Sequence, residues 1–70
     1  MMPLTMVNTG EQYEIKRTGG NEDTRKFLEK LGFTVGCIVT VVSGNNGNLI
    51  VNIRNSRVAI GRDMAARIMV

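Results

Sequence analysis

Seventy residues with 43% apolar content, 21% charge and one proline fit a single domain over residues 1–70, and exclude a second core or a disordered tail. The formal charge of +3 biases the surface toward acidic partners without selecting one, and so small a core leaves little room for a buried active site. The single cysteine, Cys37, cannot close an intramolecular disulfide, which predicts a reducing, cytoplasmic setting. No run approaches the roughly 18–20 apolar residues of a membrane span, and Met1-Met2-Pro3-Leu4 lacks the basic and apolar parts of a signal peptide.

In chain order, Leu4, Met6 and Val7 precede the turn chemistry of Asn8-Thr9-Gly10, after which Tyr13, Ile15 and Arg17 alternate with Glu14 and Lys16 as one half-buried strand. Thr18-Gly19-Gly20 ends that pattern. Asn21 can cap a helix, Glu22 and Asp23 suit its positive end, and Gly32 can close it with Phe33 folded back on Leu28. Phe27, Leu28 and Leu31 are expected on its buried face, with Glu22–Lys26 and Arg25–Glu29 pairing outside. Cys37 to Ser43 is dense in β-branched residues, and Asn46-Gly47 suits a type I′ turn into a strand that puts Leu49, Val51 and Ile53 on one face. Asn55-Ser56 turns that strand into Arg57-Val58-Ala59-Ile60; Gly61 to Arg67 suits one helical turn, and Ile68-Met69-Val70 a last strand. The prediction is a mainly β fold: a small five-stranded, partly open barrel of the SH3-like kind. One α-helix is inserted after strand one and a short helical turn precedes the last strand.

The residues offer little for catalysis or for a resident metal. There is no histidine, and the carboxylates Glu22, Asp23 and Glu29 belong to a solvated helix face, so neither an acid–base pair nor a tight ligand set can be assembled. Cys37 could form a soft site only if the fold gathered it with Met6, Met64 or Met69; a small apolar thiol among core methionines is the plainer reading. No phosphate-cradling loop is present. No cofactor and no catalytic residue is therefore expected.

The order of Pro3-Leu4, Gly10-Glu11, the helix end Leu28-Glu29-Lys30-Leu31-Gly32-Phe33 with Gly36, and the run from Ser56 to Val70 resembles ferrous iron transport protein A, the FeoA family, over nearly the whole chain. Val35 departs from the proline that relatives often carry there, and the uncharged hairpin tip is plainer than theirs. The same fold occurs as the C-terminal domain of metal-dependent repressors resembling DtxR, whose DNA-binding helices have no counterpart here.

The resemblance implies a small cytoplasmic SH3-like accessory protein. It would dock on the cytosolic face of a FeoB-like membrane iron transporter and modulate it, with GTP hydrolysis left to the transporter. The partner groove of SH3-like folds would lie along Gly19 to Lys30 and Gly61 to Arg67, and Arg25, Lys26, Lys30, Arg57 and Arg62 are the expected contacts. The alternative is a module binding RNA or the ribosome and transcription machinery, because Val35 to Gly44 also resembles the KOW-type strand and loop. That reading needs a basic groove with aromatic platforms. Arg54, Arg57, Arg62 and Arg67 could supply the stripe, but Tyr13 is the one aromatic left free of the helix and its cap.

Overall fold

The computed structural model describes all 70 residues. A 3-10 turn at Leu4–Met6 is followed by β1 (Gln12–Glu14), β2 (Arg17–Thr18), α1 (Glu22–Leu31), β3 (Ile38–Gly44), β4 (Asn48–Ile53), β5 (Ser56–Gly61), α2 (Arg62–Ala65) and β6 (Ile68–Met69).

Helix α1 begins and ends where its caps dictate. The Asn21 side chain accepts from the Thr24 amide at 2.8 Å. At the other end Gly32 takes φ 104°, its N–H donates to Glu29 and the Phe33 N–H to Leu28, the two bonds of a Schellman cap. Leu28 and Phe33 are both fully buried, so the cap doubles as a core contact. The buried stripe is narrower than predicted. Thr24 and Leu31 are half-buried beside Leu28, whereas Phe27, one helical step of about 100° away, is 49% exposed. Glu22–Lys26 forms at 3.3 Å, but Arg25 and Glu29 stay apart, as expected where an exposed pair gains little over water.

The predicted first strand proves to be two. β1 pairs with β3, placing Gln12 opposite Thr40 and Glu14 opposite Ile38, whereas β2 pairs with β6. Between them Ile15 is fully buried, its N–H donating to Cys37 and its carbonyl accepting from Gly36. Alternation breaks here, since Arg17, expected on the face of Ile15, is exposed and Thr18 is half-buried, but with no apolar side chain at either position the sequence pattern does not show that the chain changes partner. The barrel therefore has six strands, in a four-stranded sheet of order β1-β3-β4-β5 and a two-stranded sheet β2-β6. The chain start lies beside β6: Pro3 bridges Met69, and Met2 and Val70 exchange backbone hydrogen bonds.

All twelve buried residues are apolar, and they include Leu49, Val51 and Ile53 as the alternation requires. Burial stabilises each of them except the small Ala65 by about 1.5–3 kcal/mol, and no buried polar side-chain atom lacks a partner to offset it.

The two hairpins use turn chemistry differently from the prediction. The β3–β4 connection follows a register shift between Val41 and Ser43, and it is not a type I′ turn at Asn46-Gly47: neither residue has positive φ. Asn45 builds it instead, its side-chain oxygen accepting from the amides of Gly47 and Asn48, both at 2.8 Å. The two-residue loop with both φ positive lies at Arg54 (49°) and Asn55 (64°), between the paired Ile53 and Ser56.

Candidate partner-binding face

Strand alternation that sends Val39, Val41, Val51 and Ile53 inward turns Ile38, Thr40, Ile50 and Asn52 outward. The register then aligns Gln12, Thr40, Asn52 and Arg57 in one row across β1, β3, β4 and β5. Beside this row is an open groove of about 700 Å³, lined also by Cys37, Ile38, Ile53 and the turn residues Arg54, Asn55 and Ser56.

Two guanidinium groups face this groove, each fixed by a neighbour. Arg57 Nε donates to Asn52 Oδ1 at 3.3 Å. Arg54 Nη2 donates to Thr34 Oγ1 at 3.0 Å and lies 3.3 Å from Cys37 Sγ, while Thr34 Oγ1 and the thiol are 2.9 Å apart. The Thr34 hydroxyl, and to a smaller extent Arg54, hold the Cys37 thiol below its ordinary value, against the opposing effect of burial. Arg54 reaches these partners because the left-handed turn carries its side chain over the helix cap. A Cβ placed on Gly32 would lie 3.2 Å from Arg54 Cδ.

The expected contact residues fall in three places. Arg25, Lys26 and Lys30 are exposed along α1, with Lys26 held by Glu22. Arg57 stands in the groove. Arg62 is half-buried at the start of α2, where its Nε donates to the Asn45 carbonyl and its backbone N–H to Gly47 at 3.0 Å, tying the β3–β4 tip to the helix. The groove brings together Arg54 and Arg57, not the helix cations, and it lies outside the stretches Gly19 to Lys30 and Gly61 to Arg67. Arg67 sits over Gly20, its Cδ 3.0 Å from where a Cβ would be. Of the candidate stripe Arg54, Arg57, Arg62 and Arg67, the groove gathers only the first two.

Tyr13, the aromatic expected to be free, is half-buried against the core. Its hydroxyl donates to Glu11 at 2.7 Å and accepts from the Asn8 amide at 3.2 Å. The Tyr13 bond, and then one from the Asn8 side chain, keep the Glu11 carboxyl below its ordinary range, while the bond to Glu11 pushes the Tyr13 phenol up. Phe27, assigned to the core in the sequence reading, is the exposed aromatic.

No group of three or more His, Cys, Asp or Glu side chains assembles anywhere in the fold, and the polar neighbours of Cys37 are a hydroxyl and a cation, which do not suit a metal ion. No helix is long and apolar enough to cross a membrane.

Comparison with known proteins shows the family, and a fold also found in part of a manganese-dependent transcriptional repressor (TM-score 0.85 at 17% identity, over 94% of this chain and 38% of that one). The FeoA domain model matches residues 2–70. A relative from Methanocaldococcus jannaschii named Fe(2+) transport protein A is 31% identical over 70 residues, covering 100% of this chain and 85% of its own. The crystal structure of an iron uptake regulatory protein, FeoA, superposes with a TM-score of 0.89 at 29% identity, covering 97% of this chain and 92% of that one. The zinc-complexed FeoA of Stenotrophomonas maltophilia, described as a procaryotic SH3 domain protein, shares the fold with a TM-score of 0.83 at 21% identity, over 99% of this chain and 88% of that one. The six-stranded, partly open SH3-like barrel is thus the fold of those relatives, and the chain belongs to the FeoA family.

Proposed function

We propose that this chain is a cytoplasmic accessory protein of ferrous iron uptake that docks on the cytosolic face of a FeoB-like membrane transporter and modulates it. The family match over residues 2–70 carries this reading, and the ferrous iron transport for which the archaeal relative is named is the activity it would serve. The surface supports a contact role. Of nine lysines and arginines only Lys16 and Lys26 have a carboxylate within ion-pair distance, so the others are not neutralised within the chain, although Arg62 also holds the Asn45 carbonyl. Arg25, Lys26, Lys30, Arg57 and Arg62 are the proposed contacts. A docked domain changes a transporter only by binding one of its conformations more tightly than another, so modulation requires differential affinity rather than chemistry performed by this chain.

The test is copurification of the tagged protein with a FeoB-like transporter from the same cell at low and high salt, with binding to mixed RNA measured in parallel. Saturable transporter binding that weakens with salt, and weakens further in Arg25→Glu/Lys30→Glu or Arg57→Glu, is the expected result. Salt-sensitive RNA binding without transporter binding would replace this reading with the RNA-binding one.

A further inference from the structure

The outward face of the four-stranded sheet has no covering element, and its chemistry selects an occupant. We infer that the groove beside Asn52 binds an extended acidic segment of a protein partner, with its carboxylates on Arg54 and Arg57. This rests on the docking function proposed above and names the surface and the chemistry through which docking occurs.

The charge in the groove has one sign. Arg54 and Arg57 line it, no carboxylate does, and Glu14, on the neighbouring strand edge, is already paired with Lys16 at 3.4 Å. Each guanidinium has five donors and uses few of them internally: Arg57 gives Nε to Asn52, and Arg54 gives Nη2 to Thr34 and Cys37. The remaining donors form the fork that accepts a carboxylate in two parallel bonds. Because one internal bond already orients each side chain, less conformational freedom is lost when a ligand arrives.

The shape calls for a chain segment rather than a small ion. Four strands spaced about 4.8 Å apart put roughly 14 Å between the first and last side chains of the Gln12–Thr40–Asn52–Arg57 row. A groove of about 700 Å³ is far larger than one anion. Its wall includes Ile38, which is 50% exposed and would be covered by an apolar side chain lying between two acidic ones. Stacking platforms for nucleic-acid bases are missing from the lining, which contains no aromatic residue.

The experiment is a titration of isotope-labelled protein, followed by amide chemical shifts, with an alternating Glu-Leu-Glu-Leu-Glu peptide. The Gln-Leu-Gln-Leu-Gln peptide, inorganic phosphate and oligouridine RNA are the comparison arms. Shifts centred on Thr40, Asn52 and Arg57 with the Glu peptide alone, weakened about tenfold in Arg57→Gln and unchanged in Arg17→Gln, an exposed cation outside the groove, are expected. Equal binding of the Gln peptide, shifts centred on α1, or the same response to phosphate or RNA would overturn the assignment. Arg57→Gln leaves the side chain on the surface, and an unchanged thermal melt confirms that folding is not the cause. Transporter copurification that survives Arg54→Gln/Arg57→Gln would sink the groove and leave docking standing. Peptide binding at the groove without transporter copurification would sink docking alone.

Discussion

Strand β4 runs between two turns, each containing asparagine, and the two ends of this one strand serve opposite purposes. At its start the loop from Asn45 to Asn48 is closed by side-chain hydrogen bonds, and Arg62 is spent on the Asn45 carbonyl. Packing there is tight: a Cβ on Gly44 would lie 2.6 Å from Leu49 Cδ2. At its end Arg54 and Asn55 both take left-handed conformations without a glycine, at a cost of about 1–2 kcal/mol for an ordinary residue and less for asparagine. In exchange the turn throws Arg54 over the cap of α1 into contact with Thr34 and Cys37. One end uses its arginine to hold the fold together, and the other holds an arginine ready with donors to spare. Backbone strain at the second end and its absence at the first fit a division between a structural tip and a binding edge.

The largest effect is expected beneath the binding edge. Leu28 is fully buried under the helix cap, so Leu28→Ala should lower stability by about 2–5 kcal/mol through the cavity it leaves, enough to unfold much of so small a domain. Leu31 is only half-buried, and Leu31→Ala should cost visibly less in the same urea melts. Equal losses would mean that α1 presents a different stripe to the barrel.

Next in size is the cap itself. Gly32→Ala forces a side chain into φ 104° and brings its Cβ to 3.2 Å from Arg54 Cδ, which should cost about 1–2 kcal/mol. If the cap steers Arg54, this variant should also weaken acidic-peptide binding relative to its stability loss. At the tip the comparison predicts a milder and purely structural result. Asn45→Ala frees the Gly47 and Asn48 amides, but into water, so a loss of about 0.5–2 kcal/mol is expected, with peptide binding unchanged. A binding defect in Asn45→Ala would break the division between the two ends.

What the sequence revealed and what it hid follow the same physical line. The helix limits were legible because Asn21 and Gly32 act within a few residues of themselves, and the inward face of β4 because Leu49, Val51 and Ile53 keep a strict period of two. The break of the first strand at Ile15 was not legible, since Lys16, Arg17 and Thr18 include no apolar residue that would mark the change of face. Asn46-Gly47 misled for a related reason: its propensity for a left-handed turn is intrinsic, but the Asn45 side chain and the Arg62 clamp, a contact seventeen residues distant, made another loop better. Among the expected contacts, Arg57 stood in a recognisable outward position. Arg54 was grouped with it in a candidate stripe, but the reach of Arg54 over the helix cap follows from a left-handed turn without glycine, which local preference does not announce.

The smallest effect concerns Cys37, and it tests the binding edge without disturbing the fold. The folded thiol is held below its ordinary value first by the Thr34 hydroxyl, which can donate to the thiolate, and then by Arg54. Because the folded value is the lower one, the stabilisation from this group is fully present above the unfolded thiol value and is lost as pH falls through the folded one. Native protein should therefore be alkylated by iodoacetamide with a midpoint at lower pH than the urea-unfolded chain. Thr34→Val should raise that midpoint more than Arg54→Gln does. Added salt should reproduce part of the Arg54→Gln effect and leave the Thr34 contribution in place, since a hydroxyl dipole is little screened and an exposed guanidinium is. A native midpoint equal to the unfolded one, insensitive to both substitutions, would mean that Arg54 does not lie across the cap. The contrast between a clamped arginine at one end of β4 and a poised one at the other would then fail at its second half.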